Sequence, residues 1–398
     1  MPNIISKITA NITSIPNLNL PKDNSSQTPN IQINNNIGNA VVENFSVDNN
    51  SQSSQSLTFG EINEILSRYQ IDIYSCSNYY QSGNQLIVER NGNKLIFINN
   101  ELVDIIDTNG NSILKTPEMY SDEADEYGLY GGSQANLENN ATQKIDEVLS
   151  IIKKYYPNDN YVYDDLSLLF SKMTTTGCGY IAFINTVFEG TQNLTDDEFY
   201  DKFGFNRYIL TSNYDGTYSK SYNYDSMFLD FFLYYQKNYN NFSSIQEIYG
   251  NISVNSQDGA IMDNTSTGAG ATHLSDVAII GHDYLSEKGI SFTVEDPTTA
   301  GGFDTNIFKE ALQQGKIVVV AMKYFTIYST EDLDGNGLLD DVLYSDLGGH
   351  GMVVTEITED GDYIVSSWGH EYIIRPNLQG TDKEEWMMDY RIYDYNVN

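Results

Sequence analysis

The sequence predicts an α+β protein, and three observations carry that prediction. Strand-like runs Gln85–Glu89, Lys94–Ile98 and Leu102–Ile106 follow one another, with Asn91-Gly92 and Asn109-Gly110 as turn pairs. Helical periodicity recurs near residues 145–152 and 304–314. Late in the chain, Met352–Ile357 and Tyr363–Ser366 flank the turn Glu359-Asp360-Gly361-Asp362. The 398 residues are 40% hydrophobic, which supplies a packed core for about two to three domains.

Residues 1–56 read as a disordered tail. Asn, Ser, Gln, Thr and Pro dominate them, and Phe45 is their only aromatic, so ordering entropy outweighs the area they can bury. The same composition suits a non-cleaved secretion signal. Residues 57–120 read as a small α+β domain. Thr58, with Glu61 three positions later, caps a helix through Ile62, Ile65 and Leu66, and a β-meander follows. Residues 121–140, rich in Gly and acids, read as a linker. A larger domain spans 141–398 and opens with an amphipathic helix carrying Ile145, Val148, Leu149 and Ile152. Further on, Asp304 caps a helix that leads through Gly315-Lys316 into the strand Ile317–Met322. No internal repeat is visible.

Charge narrows the function classes. Lys and Arg number 21 against 55 Asp and Glu, a net charge of −34. Such a surface does not track phosphate and is repelled by anionic lipid, but it attracts calcium. Cys76 and Cys178 are the only cysteines, which excludes a disulfide framework though not a single bridge. The longest apolar run, Ile317–Met322, falls far short of the roughly 18 residues of a membrane span. No basic stretch followed by an apolar one opens the chain, so no Sec-type signal peptide is expected.

Cys178 lies in Gly177-Cys178-Gly179, directly before the apolar run Ile181–Phe188. The run reads as a buried helix, which sets the thiol at a helix N-terminus where the dipole favours thiolate. A cysteine nucleophile and an inert buried thiol both fit this local pattern. Histidine decides between them. His350 stands between glycines at the start of a buried strand, so its imidazole is approachable and rigidly held. A hairpin turning near Asp360 brings Ser366 beside it, and Ser366 or Ser367 can then orient the ring.

Here the chain resembles the papain-like cysteine peptidases. Gly177-Cys178-Gly179 with Ala182-Phe183 looks like that family's nucleophile turn and helix, and Gly349-His350-Gly351 like its histidine strand. Ser367-Trp368-Gly369 is similar to its Asn-Ser-Trp-Gly segment. Phe308–Val320 resembles the helix and strand that precede the histidine in bacterial members, including those akin to bacteriocin-processing peptidases. The order of motifs matches over roughly residues 141–398. The resemblance implies a papain-like catalytic domain, with Cys178 as nucleophile, His350 as base and then acid, Ser366 as orienter and Trp368 as a shield. It implies a bacterial origin, a protein or peptide substrate and no organic cofactor. It further implies secretion, or delivery into a host cell by a route that needs no signal peptide.

Two departures stand out. Ser366 occupies the place of the family's orienting Asn or Asp and supplies no charge. The oxyanion-hole Gln upstream of the cysteine is missing, since no Gln occurs between Gln143 and Gln192. The N–H of Cys178, Thr174, Thr175, Thr176 or a distant residue must serve instead. Among the other histidines, His282 is the best rival base. His370 reads as a solvent-facing strand residue and His273 as a loop residue.

Asp332, Asp334, Asn336 and Asp340 fall at positions 1, 3, 5 and 9 of a calcium-like loop, with Gly337 at position 6 and the Leu338 carbonyl at position 7. Leu343 stands where an EF-hand has its bidentate Glu, so the loop resembles the shorter Asp-rich loops of extracellular bacterial proteins. A structural calcium beside the histidine strand is expected. Asp107, Asn109, Asn111 and Glu118 partly match a second loop, but a hairpin turn explains Asn109-Gly110 more simply.

Three functions remain in play: a cysteine peptidase, a papain-like deamidase or transglutaminase-type acyl transferase, and a catalytically impaired, calcium-stabilised binding module. The 31 tyrosines suit the last, because Tyr offers contact area at low entropy cost.

Overall fold

The computed structural model describes residues 56–116, 145–159, 170, 173, 177–213, 215–248, 274–295, 305–322, 325–347, 350–367, 369–375 and 387–396. The tail reading of 1–56, apart from Ser56, the linker reading of 121–140 and the Asp304 cap lie outside them. The fold class is α+β, as the sequence predicts.

Helix α1 (Phe59–Arg68) starts where Thr58 and Glu61 cap each other: the Thr58 N–H donates to Glu61 Oε2 at 2.6 Å, and the Glu61 N–H to Thr58 Oγ1 at 3.3 Å. Strands β1 (Asn78–Ser82), β2 (Gln85–Arg90), β3 (Asn93–Ile98) and β4 (Glu101–Ile106) form an antiparallel meander in that order. Asn91 and Gly92 both have positive φ, 53° and 83°, as a tight two-residue hairpin requires. Ile62, Ile65 and Leu66 of α1 pack on Leu86, Val88, Leu95, Phe97, Leu102 and Ile105. The Asp107 loop closes on itself, with Asp107 Oδ1 accepting from the N–H of Asn109 and of Asn111, both at 2.8 Å. That is the hairpin-turn alternative.

The remaining chain follows as β5 (Leu114–Lys115), α2 (Ile145–Tyr155), α3 (Cys178–Gly190), α4 (Asp196–Phe203), β6 (Tyr208–Ser212), β7 (Tyr218–Tyr222) and α5 (Tyr224–Asn238). Then come α6 (Leu274–Glu287), β8 (Ser291–Glu295), α7 (Thr305–Gln313), β9 (Ile317–Met322), β10 (Phe325–Tyr328) and β11 (Val342–Leu347). The last strands are β12 (His350–Ile357), β13 (Tyr363–Ser367), β14 (His370–Ile374) and β15 (Met387–Asn396).

Eight of these strands form one sheet in the order β11-β10-β14-β13-β12-β9-β15-β8. Strands β9 and β10 are four positions apart in it, about 19 Å if the sheet were flat. Met322 and Phe325, which end and begin them, are three chain steps apart and can span at most about 11 Å. The sheet therefore curls until the continuation of β9 meets β14.

Strand alternation divides the core into two layers. Val318, Val320 and Met322 of β9 join Met352 and Val354 of β12, and Phe308 and Ala311 of α7. Ile317, Val319, Ala321 and Val353 face the opposite way, onto α3 and α6. Helix α3 is buried on every side from Gly179 to Phe188, which explains its lack of a polar face. Asp230, fully buried on α5, draws the helices together: it accepts from Tyr155 at 2.9 Å, Tyr284 at 2.6 Å and Lys154 at 2.8 Å.

The meander is fastened to the larger part by buried polar bonds. Tyr69 Oη donates to Asp196 Oδ2 at 2.9 Å and accepts the Leu102 N–H at 3.0 Å. Lys220 Nζ donates to the Leu102 carbonyl at 2.9 Å, and Asn206 Nδ2 to the Arg68 carbonyl at 2.7 Å.

Candidate active site

Cys178 is the first residue of α3. Gly177 precedes it because a Cβ there would stand 2.6 Å from both the Met173 carbonyl and the Phe228 ring. Desolvation pushes the Cys178 thiol above its ordinary range, outweighing the backbone N–H groups of Gly351 and Gly179, which favour thiolate. Strand β12 reaches the helix so closely that a Cβ on Gly351 would lie 3.1 Å from Gly179 Cα. The helix start that carries the thiol and the start of the histidine strand thus lie against each other.

His350 opens β12 and is 8% exposed. Burial lowers its imidazole to about 4. Near neutral pH the ring and the thiol are both uncharged. Nε2 lies 2.6 Å from Ser367 Oγ, and the ring stacks on Phe325 with centroids 6.3 Å apart and planes 10° apart.

Register explains why Ser367, rather than the expected Ser366, meets the ring. His350 pairs with Met322, on the α7 face, whereas Ser366 pairs with Val353, on the α3 face. Ser367 is one residue on and returns to the face of His350. The same alternation directs the His350 side chain away from α3. Among the described residues no hydrogen bond joins Cys178 to His350.

His370 is half-buried on β14 and pairs across the strand with Ser367, so it shares the face of His350 rather than pointing to open solvent. His282 lies exposed on α6 with Nδ1 3.4 Å from Asp283 Oδ1. Trp368, Gly349, Thr174, Thr175, Thr176 and His273 lie outside the described residues. Phe325 escaped the sequence reading, since only the curl of the sheet brings it to His350.

In the acidic loop, single carboxylate oxygens of Asp332, Asp334 and Asp341 lie within 4.8 Å of one another. Asp341 thus joins the cluster where Asp340 was expected. The reason is local: Asp341 Oδ2 is drawn inward by the Leu333 N–H at 2.6 Å, whereas Asp340 Oδ1 accepts Asn336 Nδ2 at 3.2 Å. Asn336 Oδ1 is turned to the Leu338 N–H at 2.7 Å. Backbone N–H groups of Gly337, Gly335 and Asn336 hold the Asp332 carboxyl below its usual range.

The chain matches no protein-family model, no curated protein and no solved structure.

Proposed function

We propose that this chain is a papain-like cysteine peptidase, hydrolysing peptide bonds of a protein or peptide substrate through Cys178 and His350. One observation carries the reading: the strand that His350 opens packs against the start of the buried helix that Cys178 begins, so that a Cβ on Gly351 would lie 3.1 Å from Gly179 Cα and 3.6 Å from the Cys178 carbonyl carbon. A curled antiparallel sheet beside that helix and a hydroxyl on imidazole Nε2 support it.

In this mechanism Cys178 Sγ attacks the substrate carbonyl carbon while its proton passes to His350. The C–N bond then breaks, the amine leaves with that proton, and water hydrolyses the thioester. The helix N-terminus and the Cys178 N–H stabilise the oxyanion. The ring must leave both Ser367 and Phe325 and turn towards the start of α3 before it can take the proton. Turnover of a labelled protein substrate tests this: Cys178→Ala and His350→Ala abolish it, and His282→Ala does not. Turnover retained in His350→Ala ends the assignment. A mass shift of about one dalton per site without new termini favours the deamidase instead.

A second reading, a catalytically impaired binding module, is favoured by the missing hydrogen bond between Cys178 and His350. It predicts no turnover in the native protein.

We further propose that the loop carrying Asp332, Asp334 and Asp341 takes a structural calcium. Hard carboxylate oxygens at this mutual distance, held by backbone N–H groups, fit an oxygen-coordinated divalent cation.

A further inference from the structure

Strand β11 ends the eight-stranded sheet, and among the described residues no strand pairs with its outer edge. Four successive residues, Val342 to Ser345, are exposed. Successive strand residues point to opposite faces, so β11 meets solvent on both faces as well as along its edge. Val342 is 56% exposed and Tyr344 49%; the preceding loop adds Leu333 and Leu338, each 59% exposed. Edges of this kind invite strand addition unless charge, proline, a bulge or a cover blocks them; β11 has two register shifts against β10, and its own charge is all acidic, which blocks an anionic strand and favours a cationic one. Residues 329–347 contain no Lys, Arg or Pro, and six Asp and Glu.

We infer that β11 is a docking edge for an extended cationic polypeptide segment, in which apolar side chains alternate with Lys or Arg. Charge selects this occupant. A second copy of a chain carrying −34 is repelled, and so is an anionic lipid surface. A cationic strand hydrogen-bonds the open edge, lays apolar side chains on Val342 and Tyr344, and sets its bases among the carboxylates. Calcium in the loop leaves the segment anionic, because six carboxylates exceed the two charges of the ion. The edge also leads to the proposed centre: Leu347 pairs with Phe325, whose ring stacks on His350. Docking here does not depend on catalysis by Cys178.

The test uses the full chain in chelator and a labelled twelve-residue peptide alternating Lys and Val. Three control peptides accompany it: Lys with Gly, Glu with Val, and the Lys–Val sequence N-methylated along one backbone edge. Anisotropy titration is expected to give at least tenfold tighter binding for Lys–Val than for each control. Hydrogen exchange at residues 342–347 slows at least tenfold on binding. Val342→Lys weakens the peptide at least tenfold while leaving the melting temperature unchanged. A smaller preference over any control, protection that falls elsewhere, or no binding overturns the inference.

Discussion

His350 Nε2 lies 2.6 Å from Ser367 Oγ on the α7 face of the sheet, while the adjacent Gly351 packs on the start of α3, where a Cβ would stand 3.1 Å from Gly179 Cα. One strand start thus serves both layers of the core. The backbone lies against the helix that carries the thiol, and the side chain is held by the opposite layer. Loss of water around each group disfavours its charged form, raising the Cys178 thiol and lowering the His350 imidazole.

Ser367→Ala should leave a buried imidazole nitrogen without its hydroxyl and cost about 1–3 kcal/mol of stability. Urea denaturation measures that cost, and nitrogen NMR of His350 follows the ring. Ser366→Ala should leave the His350 signals in place. Equal displacement by the two variants would contradict the register derived above.

Stability should fall as pH is lowered from 6.5 to 4. The folded His350 takes its proton only near pH 4, against an ordinary 6.5, so the unfolded chain binds the extra proton across that window. The loss from this residue approaches about 3 kcal/mol below the window. His350→Phe should remove that part of the slope in urea midpoints measured against pH. An unchanged slope would show that the ring is hydrated in the folded state.

Gly351→Ala places a Cβ 3.1 Å from Gly179 Cα and 3.4 Å from Gly179 N. Both are backbone atoms at the helix start, so β12 must retreat, at a cost of about 1–3 kcal/mol. The Gly351 N–H, which favours the Cys178 thiolate, retreats with it, and alkylation of Cys178 should slow at every pH below its titration. Unchanged stability and alkylation would place the strand farther from α3 than described.

Calcium should raise the melting temperature, and Asp332→Asn should remove the rise. Differential scanning fluorimetry in excess calcium and in chelator measures both. Equal melting in the two conditions would argue against a cation in this loop.

Tyr69→Phe removes one hydroxyl that both donates to Asp196 and accepts from Leu102. Each leaves a buried partner unsatisfied, so the variant should lose about 1–3 kcal/mol. Chemical denaturation followed by aromatic fluorescence checks this. A loss confined to the meander, with the larger part unaffected, would show that the two fold independently.

Much of this architecture is written in local signals. The Thr58–Glu61 cap, the Asn91-Gly92 turn, the largely apolar run after Cys178 and the hairpin around Gly361 each depend on neighbours a few residues away. β1, with the polar sequence Asn-Tyr-Tyr-Gln-Ser, has no such signal and forms by pairing with β2. The cluster on Asp230 unites side chains from three helices, which no local pattern records. The choice of Ser367 over Ser366 depends on a one-residue register, and that is fixed by where Val353 and Met352 find their layers. The meeting of Phe325 with His350 depends on the curl of the whole sheet.

The central claim is that Cys178 is a nucleophile served by His350. Its most direct test is to treat the native protein at pH 7 with a peptidyl vinyl sulfone and locate the adduct by peptide mass mapping. The account predicts stoichiometric labelling of Cys178, none of Cys76, and loss of the label in His350→Ala. A Cys178 that stays unlabelled, or that labels equally well without His350, would contradict it.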